Sequence, residues 1–313
     1  MRCRRFRWAV VVGAIWQVGA MGQCWQLARA DDLTLAVDDI DGGRVELIES
    51  ETERWTVVCF LGVECPLARL YAPRLLEFSQ RFKDDPVQWI GVDSNRQDSI
   101  NDLRRFSEEL EFSFPLVHDK DNKIADRYGA TRTPEVFVLD QHLQVRYRGR
   151  IDDQYFPGRA KAKATRHDLQ LALEQLVSHR SVDVPRTEAV GCLIGRVKVV
   201  GSGSSVSYSR QVVRVLQRHC IECHREGEIG PFSLTDYDEV VGWADALMES
   251  IDEGRMPPWH ANPAHGKFHN ERRISLQDKQ VLRQWIEAGA PRGDPSEMPE
   301  PVKYSTGWQL PRK

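Results

Sequence analysis

Residues 55–69 read Trp-Thr-Val-Val-Cys-Phe-Leu-Gly-Val-Glu-Cys-Pro-Leu-Ala-Arg. The first seven, 55–61, are a continuous apolar run of the kind shown by a strand buried on both faces. Pro66 suits the first turn of a helix, where its missing N–H is no loss. Leu67, Leu70, Tyr71, Leu75, Phe78 and Phe82 then recur at helical spacing. Pro73 falls inside that pattern and predicts a kink or a break into two pieces. Cys65 thus stands at or just before a helix N-terminus, where unpaired N–H groups and the helix dipole favour a thiolate. Cys59, inside the strand, is expected to be core.

Outward from this stretch, strand and helix alternate. Val87 to Val92 reads as a strand, Ser99 to Leu110 as a helix, Phe114 to Val117 as a strand and Lys123 to Tyr128 as a short helix. Thr133-Pro134 opens a further strand, Leu143 to Ile151 pairs with it, and His167 to Leu176 closes as a helix. A strand leading into a Cys-Pro helix, with Thr-Pro opening a later strand, resembles the thioredoxin superfamily over residues 31–180. Phe60-Leu-Gly-Val-Glu-Cys-Pro-Leu-Ala-Arg69 and Arg148-Gly-Arg-Ile-Asp-Asp153 resemble its redoxin and peroxiredoxin-like branch. The resemblance implies an α/β thioredoxin-like domain with Cys65 as nucleophile and Pro134 as a cis-proline beside it. Two departures stand out. Ala68 occupies the second cysteine position of a C-x-x-C, and Val58 and Gly62 stand where peroxiredoxins carry Pro and Thr or Ser. Similar proteins often carry a Gly-Cys pair further on, as Gly191-Cys192 here, which makes Cys192 a candidate resolving thiol. Without that resemblance, an isolated cysteine in an apolar stretch is packed and inert.

The C-terminal half contains Cys220-Ile-Glu-Cys223-His224, the C-x-x-C-H attachment pattern of c-type haem. Two thiols at this spacing add to two vinyl groups on one porphyrin edge, and the next imidazole turns onto the iron. A zinc site is the alternative, with His260, His265 or His269 as remaining ligands, although zinc pairs usually show tighter spacing. Met256, in the proline-braced Arg255-Met-Pro-Pro-Trp259, is a candidate sixth ligand; the same three histidines or an open position are the alternatives. Ser233 is expected to cap the helix before this loop, Gly254 to end it, and Ser275 to cap a last helix that stops at Gly289. Residues 207–295 resemble an all-α class I cytochrome c-like domain, which implies one covalent haem c held by Cys220, Cys223 and His224, with Met256 axial.

Residues 1–30 carry five arginines and no acid, a short apolar run, and Ala28-Arg29-Ala30. This is the layout of a secretory signal peptide, and it predicts export to a periplasmic or other extracytoplasmic compartment. A single membrane anchor would need a longer apolar core; no membrane span is expected after removal of the leader. The formal charge is −3, from 43 basic and 46 acidic residues, and the leader's arginines account for five of the cations. The remainder is more acidic still, which argues against a nucleic-acid partner. Residues 181–206 read as a linker carrying Cys192, with Gly201 to Ser205 flexible, and 296–313 as a Pro-rich tail. Together these readings predict an exported redox protein acting on a partner protein or a small thiol, disulfide or peroxide. The alternative is a non-catalytic cytochrome c electron-transfer module whose redoxin domain is a docking scaffold.

Overall fold

In the computed structural model, residues 35–47, 51, 53–201, 205–259 and 261–304 are described. Residues 1–30, read above as a leader, residues 202–204 of the expected linker, His260 and residues 305–313 of the tail lie outside them. In chain order, β1 (Leu35–Asp38) and β2 (Arg44–Leu47) form a hairpin, followed by β3 (Trp55–Leu61), α1 (Pro66–Arg81) and β4 (Val87–Asp93). Next come α2 (Ile100–Leu110), β5 (Leu116–His118), α3 (Lys123–Tyr128), β6 (Arg132–Thr133), β7 (Glu135–Leu139) and β8 (Val145–Gly149). The short pair β9 (Tyr155–Phe156) and β10 (Arg159–Ala160) precedes α4 (Asp168–Val177).

Five strands form one sheet in the order β5-β4-β3-β7-β8. β3, β4 and β5 are mutually parallel, and β7 is antiparallel to both its neighbours. β3 is central and buried along its whole length, as its apolar run predicts. Its alternate side chains enter different cores. Val57, Cys59 and Leu61 pack with α1, α2 and α4, whereas Val58 and Phe60 pack with α3 and β2. Cys59 is therefore core.

α1 is one uninterrupted helix with Pro73 inside it, so the predicted break does not occur. Pro73 is exposed, while Tyr71, Leu75 and Phe78 are buried. Burial of three such side chains, at about 2 kcal/mol each, outweighs the ~3 kcal/mol cost of an interior proline. Ser99 caps α2 in a reciprocal capping box with Asp102. The strand predicted at 143–151 is shorter, because Leu143 adopts a positive φ in the turn closed by Leu143 N–H donating to the Asp140 carbonyl.

After α4 the chain returns to the sheet domain. β11 (Cys192–Leu193) pairs antiparallel with β6, setting Cys192 opposite Thr133. This part of the 181–206 joint is thus ordered strand. Beyond it, every regular element among the described residues is helical: a π-helical turn at 208–212, α5 (Val213–His219), α6 (Tyr237–Asp252) and α7 (Leu276–Glu287), with short 3₁₀ turns between and after them. α6 begins later than predicted. Asp236, not Ser233, is its N-cap and accepts from the Asp238 and Glu239 amides, while the Ser233 hydroxyl is used in a local turn with Thr235. Ser275 caps α7 as expected. Leu216, Val240, Val241, Trp243, Leu282 and Trp285 are among the residues of a separate apolar core between these helices.

The helices dock on the sheet domain through β11 and α6. The Arg132 guanidinium donates to both Glu249 carboxylate oxygens, at 2.6 and 3.1 Å, and to the Gly191 carbonyl at 2.8 Å. Lys198 pairs with Asp245 and Arg96 with Asp238. Gly195 and Gly242 permit the close approach, since a Cβ on either would fall within 2.3 Å of the Gln97 Oε1 atom.

Candidate thiol site and candidate haem motif

Cys65 is the N-cap residue of α1, held at the end of β3 by its amide donating to the Gly62 carbonyl. Pro66 at N1 lets the helix start at once, which sets Cys65 at the N-terminal end of α1. The residue is 1% exposed. Its thiol donates to the Thr133 carbonyl at 2.9 Å, and the Thr133–Pro134 bond is cis, as the resemblance implied for Pro134. β11 brings Cys192 to the same place. Burial alone would raise the Cys65 pKa; hydrogen bonds to its sulfur from the Cys192 thiol, the Thr133 side chain and the Cys192 and Ala68 amides outweigh it and bring it down to about 6. The hydrogen bond to Cys65, followed by burial, pushes Cys192 well above the ordinary thiol range. The pair therefore loses its first proton at Cys65, and Cys192 keeps the second as a donor to that thiolate.

Two glycines make this geometry possible. A Cβ on Gly191 would lie 2.0 Å from the Thr133 carbonyl oxygen, so only glycine lets the incoming strand reach β6. A Cβ on Gly62 would lie 2.7 Å from Asn95 Nδ2 and 3.2 Å from Thr133 Oγ1. The hydroxyl that peroxiredoxins carry at this position is absent, and a side chain there would have to displace the end of Asn95.

In the helical part, α5 delivers Cys220 to a tight turn in which the Cys223 and His224 amides both donate to the Cys220 carbonyl. His224 is 8% exposed, and its Nδ1 lies 3.2 Å from the Phe232 carbonyl. A carbonyl only accepts, so Nδ1 carries the proton and Nε2 keeps its lone pair for a metal. Gly230 closes over this ring; a Cβ there would be 2.8 Å from Nδ1. Phe232 lies against the imidazole and stacks on Trp243 at 4.0 Å. Burial, and then Cys223, raises the Cys220 thiol to about 12. Two local thiols and an imidazole with a directed Nε2 fit the donor set of a c-type haem. Met256 lies in the loop after α6, 40% exposed and outside the apolar core. Among the described residues, no group of three or more His, Cys, Asp and Glu gathers to hold a bare metal ion, and His265 and His269 are exposed.

Residues 28–148 match the AhpC/TSA family. This region is a thioredoxin-like redoxin domain. Over 121 residues the chain is 27% identical to the thiol-disulfide oxidoreductase ResA of Halalkalibacterium halodurans, covering 38% of this chain and 67% of that protein. Against ResA of Bacillus thuringiensis it is 25% identical over 109 residues, covering 35% of this chain and 61% of the relative. An uncharacterized conserved protein from Geobacillus kaustophilus superposes on 51% of this chain and 87% of its own, with 26% identity and a TM-score of 0.47.

The redoxin domain also carries polar residues that the sequence reading passed over. Asp93 ends β4, and Asn95 and Asp98 follow just past it; all three are buried. Burial first, and then the Asp98 charge, raises the Asp93 carboxyl well above its ordinary value. Asp98 accepts from the Val63 amide, and the Asn95 side chain donates to Asp98 and bonds the Gly195 amide through its oxygen. The signal was available: Asp93-Ser-Asn-Arg-Gln-Asp98 directly follows a parallel strand, and sites gather at the carboxyl ends of such strands. Beside Cys65, Glu64 borders a cleft of about 580 Å³ that Asp98, Arg69 and Glu239 also line. Burial, with Asp98, Glu239 and Asp102 nearby, raises the Glu64 carboxyl to about 7.

Proposed function

We propose that the protein is an extracytoplasmic thiol–disulfide oxidoreductase whose exchanging pair is Cys65 and Cys192, joined to a helical cytochrome c-like domain that binds one covalent haem c. The observation that carries the thiol reading is the placement of Cys192 opposite Thr133, the residue whose carbonyl accepts from the Cys65 thiol beside cis-Pro134. A pair polarised in this way has one sulfur ready as thiolate and leaving group and a second sulfur within bonding reach. A docking scaffold would have no use for that polarisation. The reaction class agrees with relatives named as thiol-disulfide oxidoreductases over the same region. Peroxide is a weaker substrate reading, since Gly62 carries no hydroxyl where peroxiredoxins carry the one that orients peroxide.

The reading of the haem rests on the donor set. Cys220 and Cys223 would supply the thioether sulfurs, and His224, oriented by Phe232, the proximal nitrogen. Met256, in the loop after α6, would be the candidate for a further protein ligand. When bound, the group supplies one-electron redox chemistry, which suits transfer to or from a partner protein. Export is supported by the basic, then apolar leader ending in Ala28-Arg29-Ala30, and by the compartment in which exported disulfides persist.

The tests are separate. Reduced protein is assayed for reduction of a small chromogenic disulfide beside Cys65→Ser. The variant is expected to lose at least about a hundredfold in rate, and equal rates would sink the thiol reading. Co-expression with c-type haem maturation is expected to give a covalent haem spectrum after acid extraction. A chain that never acquires it sinks the haem reading and leaves the thiol reading standing.

A further inference from the structure

The chain just ahead of Cys65 and the chain just behind Cys192 share a partner, the side chain of Asn95. Asn95 lies in the turn after β4 and is 4% exposed. Its Nδ2 donates to the Leu61 carbonyl at 3.4 Å and to Asp98 Oδ2 at 3.2 Å, with Asp93 Oδ2 at 3.4 Å as a third acceptor. The same Asp98 oxygen accepts from the Val63 amide at 3.1 Å, two residues before Cys65. On its other edge, Asn95 Oδ1 accepts from the Gly195 amide at 3.0 Å, three residues past Cys192. The Arg96 amide donates to the Gly195 carbonyl at 3.0 Å, so both backbone groups of Gly195 are held by the 93–98 turn. The approach on the Cys65 side is equally tight, since a Cβ on Gly62 would lie 2.7 Å from Asn95 Nδ2.

Resting on the exchanging pair proposed above, we infer that Asn95 is a positioning residue for Cys65 and Cys192: its one amide ties the backbone ahead of the first to the backbone behind the second, and so favours closure of their disulfide. An amide suits the place because it donates on one edge and accepts on the other. The Leu61 carbonyl needs a donor and the Gly195 amide an acceptor; a carboxylate could serve only the second. Asp93 fixes the turn itself by accepting from the Asn95 amide at 2.8 Å, and Asp98 extends the tie to Val63.

Closure is an exchange reaction. With glutathione disulfide as oxidant, the two protein thiols lose two electrons and two protons and form one S–S bond. The glutathione S–S bond breaks, and its two sulfurs leave as thiols. The equilibrium constant carries the effective concentration of one protein sulfur beside the other. Hydrogen bonds that already hold both segments raise that concentration, because less backbone freedom is left for the new bond to remove.

Asn122 offers a comparison within the same turn. It is 3% exposed, and its side chain bonds Ser94, Gly195 and Val197, all away from the chain ahead of Cys65. A merely structural role for Asn95 predicts that losing either amide has the same consequence; a positioning role predicts that only one of them does.

The test equilibrates the full chain with graded glutathione buffers, quenches in acid, and quantifies the Cys65 and Cys192 peptides by alkylation and mass spectrometry. A Cys65–Cys192 linkage in the unmodified chain is read first; its absence would overturn the exchanging pair itself. With the linkage present, Asn95→Ala is expected to lower the disulfide equilibrium constant about tenfold, which raises the reduction potential by about 30 mV. Asn122→Ala is expected to stay within about twofold of the unmodified chain. Should Asn95→Ala not fold, Asn95→Ser, whose hydroxyl cannot span both segments, is expected to lower the constant about threefold. An unchanged constant in the folded Asn95 variant, or an equal fall in Asn122→Ala, overturns the inference and leaves the exchanging pair intact.

Discussion

The chain holds two pairs of cysteines that meet by opposite routes. Cys220 and Cys223 are neighbours because one turn of backbone joins them, with the Cys223 amide donating to the Cys220 carbonyl. Cys65 and Cys192 are neighbours because a late strand returns across the domain and pairs with β6. In the local pair, burial and then Cys223 raise the Cys220 thiol to about 12. In the distant pair, contacts across the domain lower Cys65 to about 6 and raise Cys192. A spacing motif can bring two thiols together; here a tertiary contact brings together two that the fold drives in opposite directions.

The sharpest separation comes from the local pair. Cys220→Ser with Cys223→Ser is expected to abolish covalent haem entirely, read as loss of haem absorbance in the denatured, acid-extracted chain. Retention of covalent haem would break the comparison.

Gly191→Val strikes the distant pair. Its side chain meets the Thr133 carbonyl, so β11 should lift from β6. Disulfide formation between Cys65 and Cys192 is expected to fall by about tenfold or more, with a stability loss of about 1–3 kcal/mol in urea titration. Covalent haem per chain should not change. An unchanged disulfide yield would mean that the pair does not depend on this strand.

The pH dependence of stability sharpens the same contrast. In the reduced protein, folded Cys65 ionises near pH 6, below its unfolded value, so its stabilisation is complete above the unfolded pKa and is lost as pH falls through about 6. Cys192 acts oppositely: its pKa is raised on folding, so stability falls once the unfolded thiol ionises at higher pH. The difference in urea midpoint between reduced and oxidised protein should therefore rise in favour of the reduced form from pH 6 towards the ordinary thiol range and then decline. Glu64 titrates near 7 in both forms and cancels from that difference. A flat difference would show that the sulfurs are equivalent.

The smallest effect tests the helical part. Asp236→Ala removes the α6 cap and should cost about 1 kcal/mol, whereas Ser233→Ala should cost only a few tenths. Equal losses in thermal melts would restore Ser233 as the cap.

Much of the fold was legible because its signals are local. The apolar run of β3, the Cys-Pro start of α1, the Ser275 cap and the C-x-x-C-H turn each depend on residues close in sequence. Proline at 73 misled, since the burial that overrides it comes from other elements. Ser233 misled because a competing carboxylate at Asp236 lies within the same turn and accepts from the α6 amides. In the site, Cys65 and Pro134 were found from their motifs. Glu64, Asn95 and the Asp93–Asp98 pair were not, because only enclosure by neighbouring elements makes their polar atoms matter.

By itself, the sequence determined most of the stretches that become strand or helix, where a cysteine stands at a helix N-terminus, and which residues form the C-x-x-C-H turn, since backbone geometry fixes all of these over a few residues. Tertiary structure alone decided that Cys192 is set opposite Thr133 beside Cys65, and that Asp93, Asn95 and Asp98 are enclosed together. Those outcomes depend on through-space distance and burial, set by segments far apart in the chain.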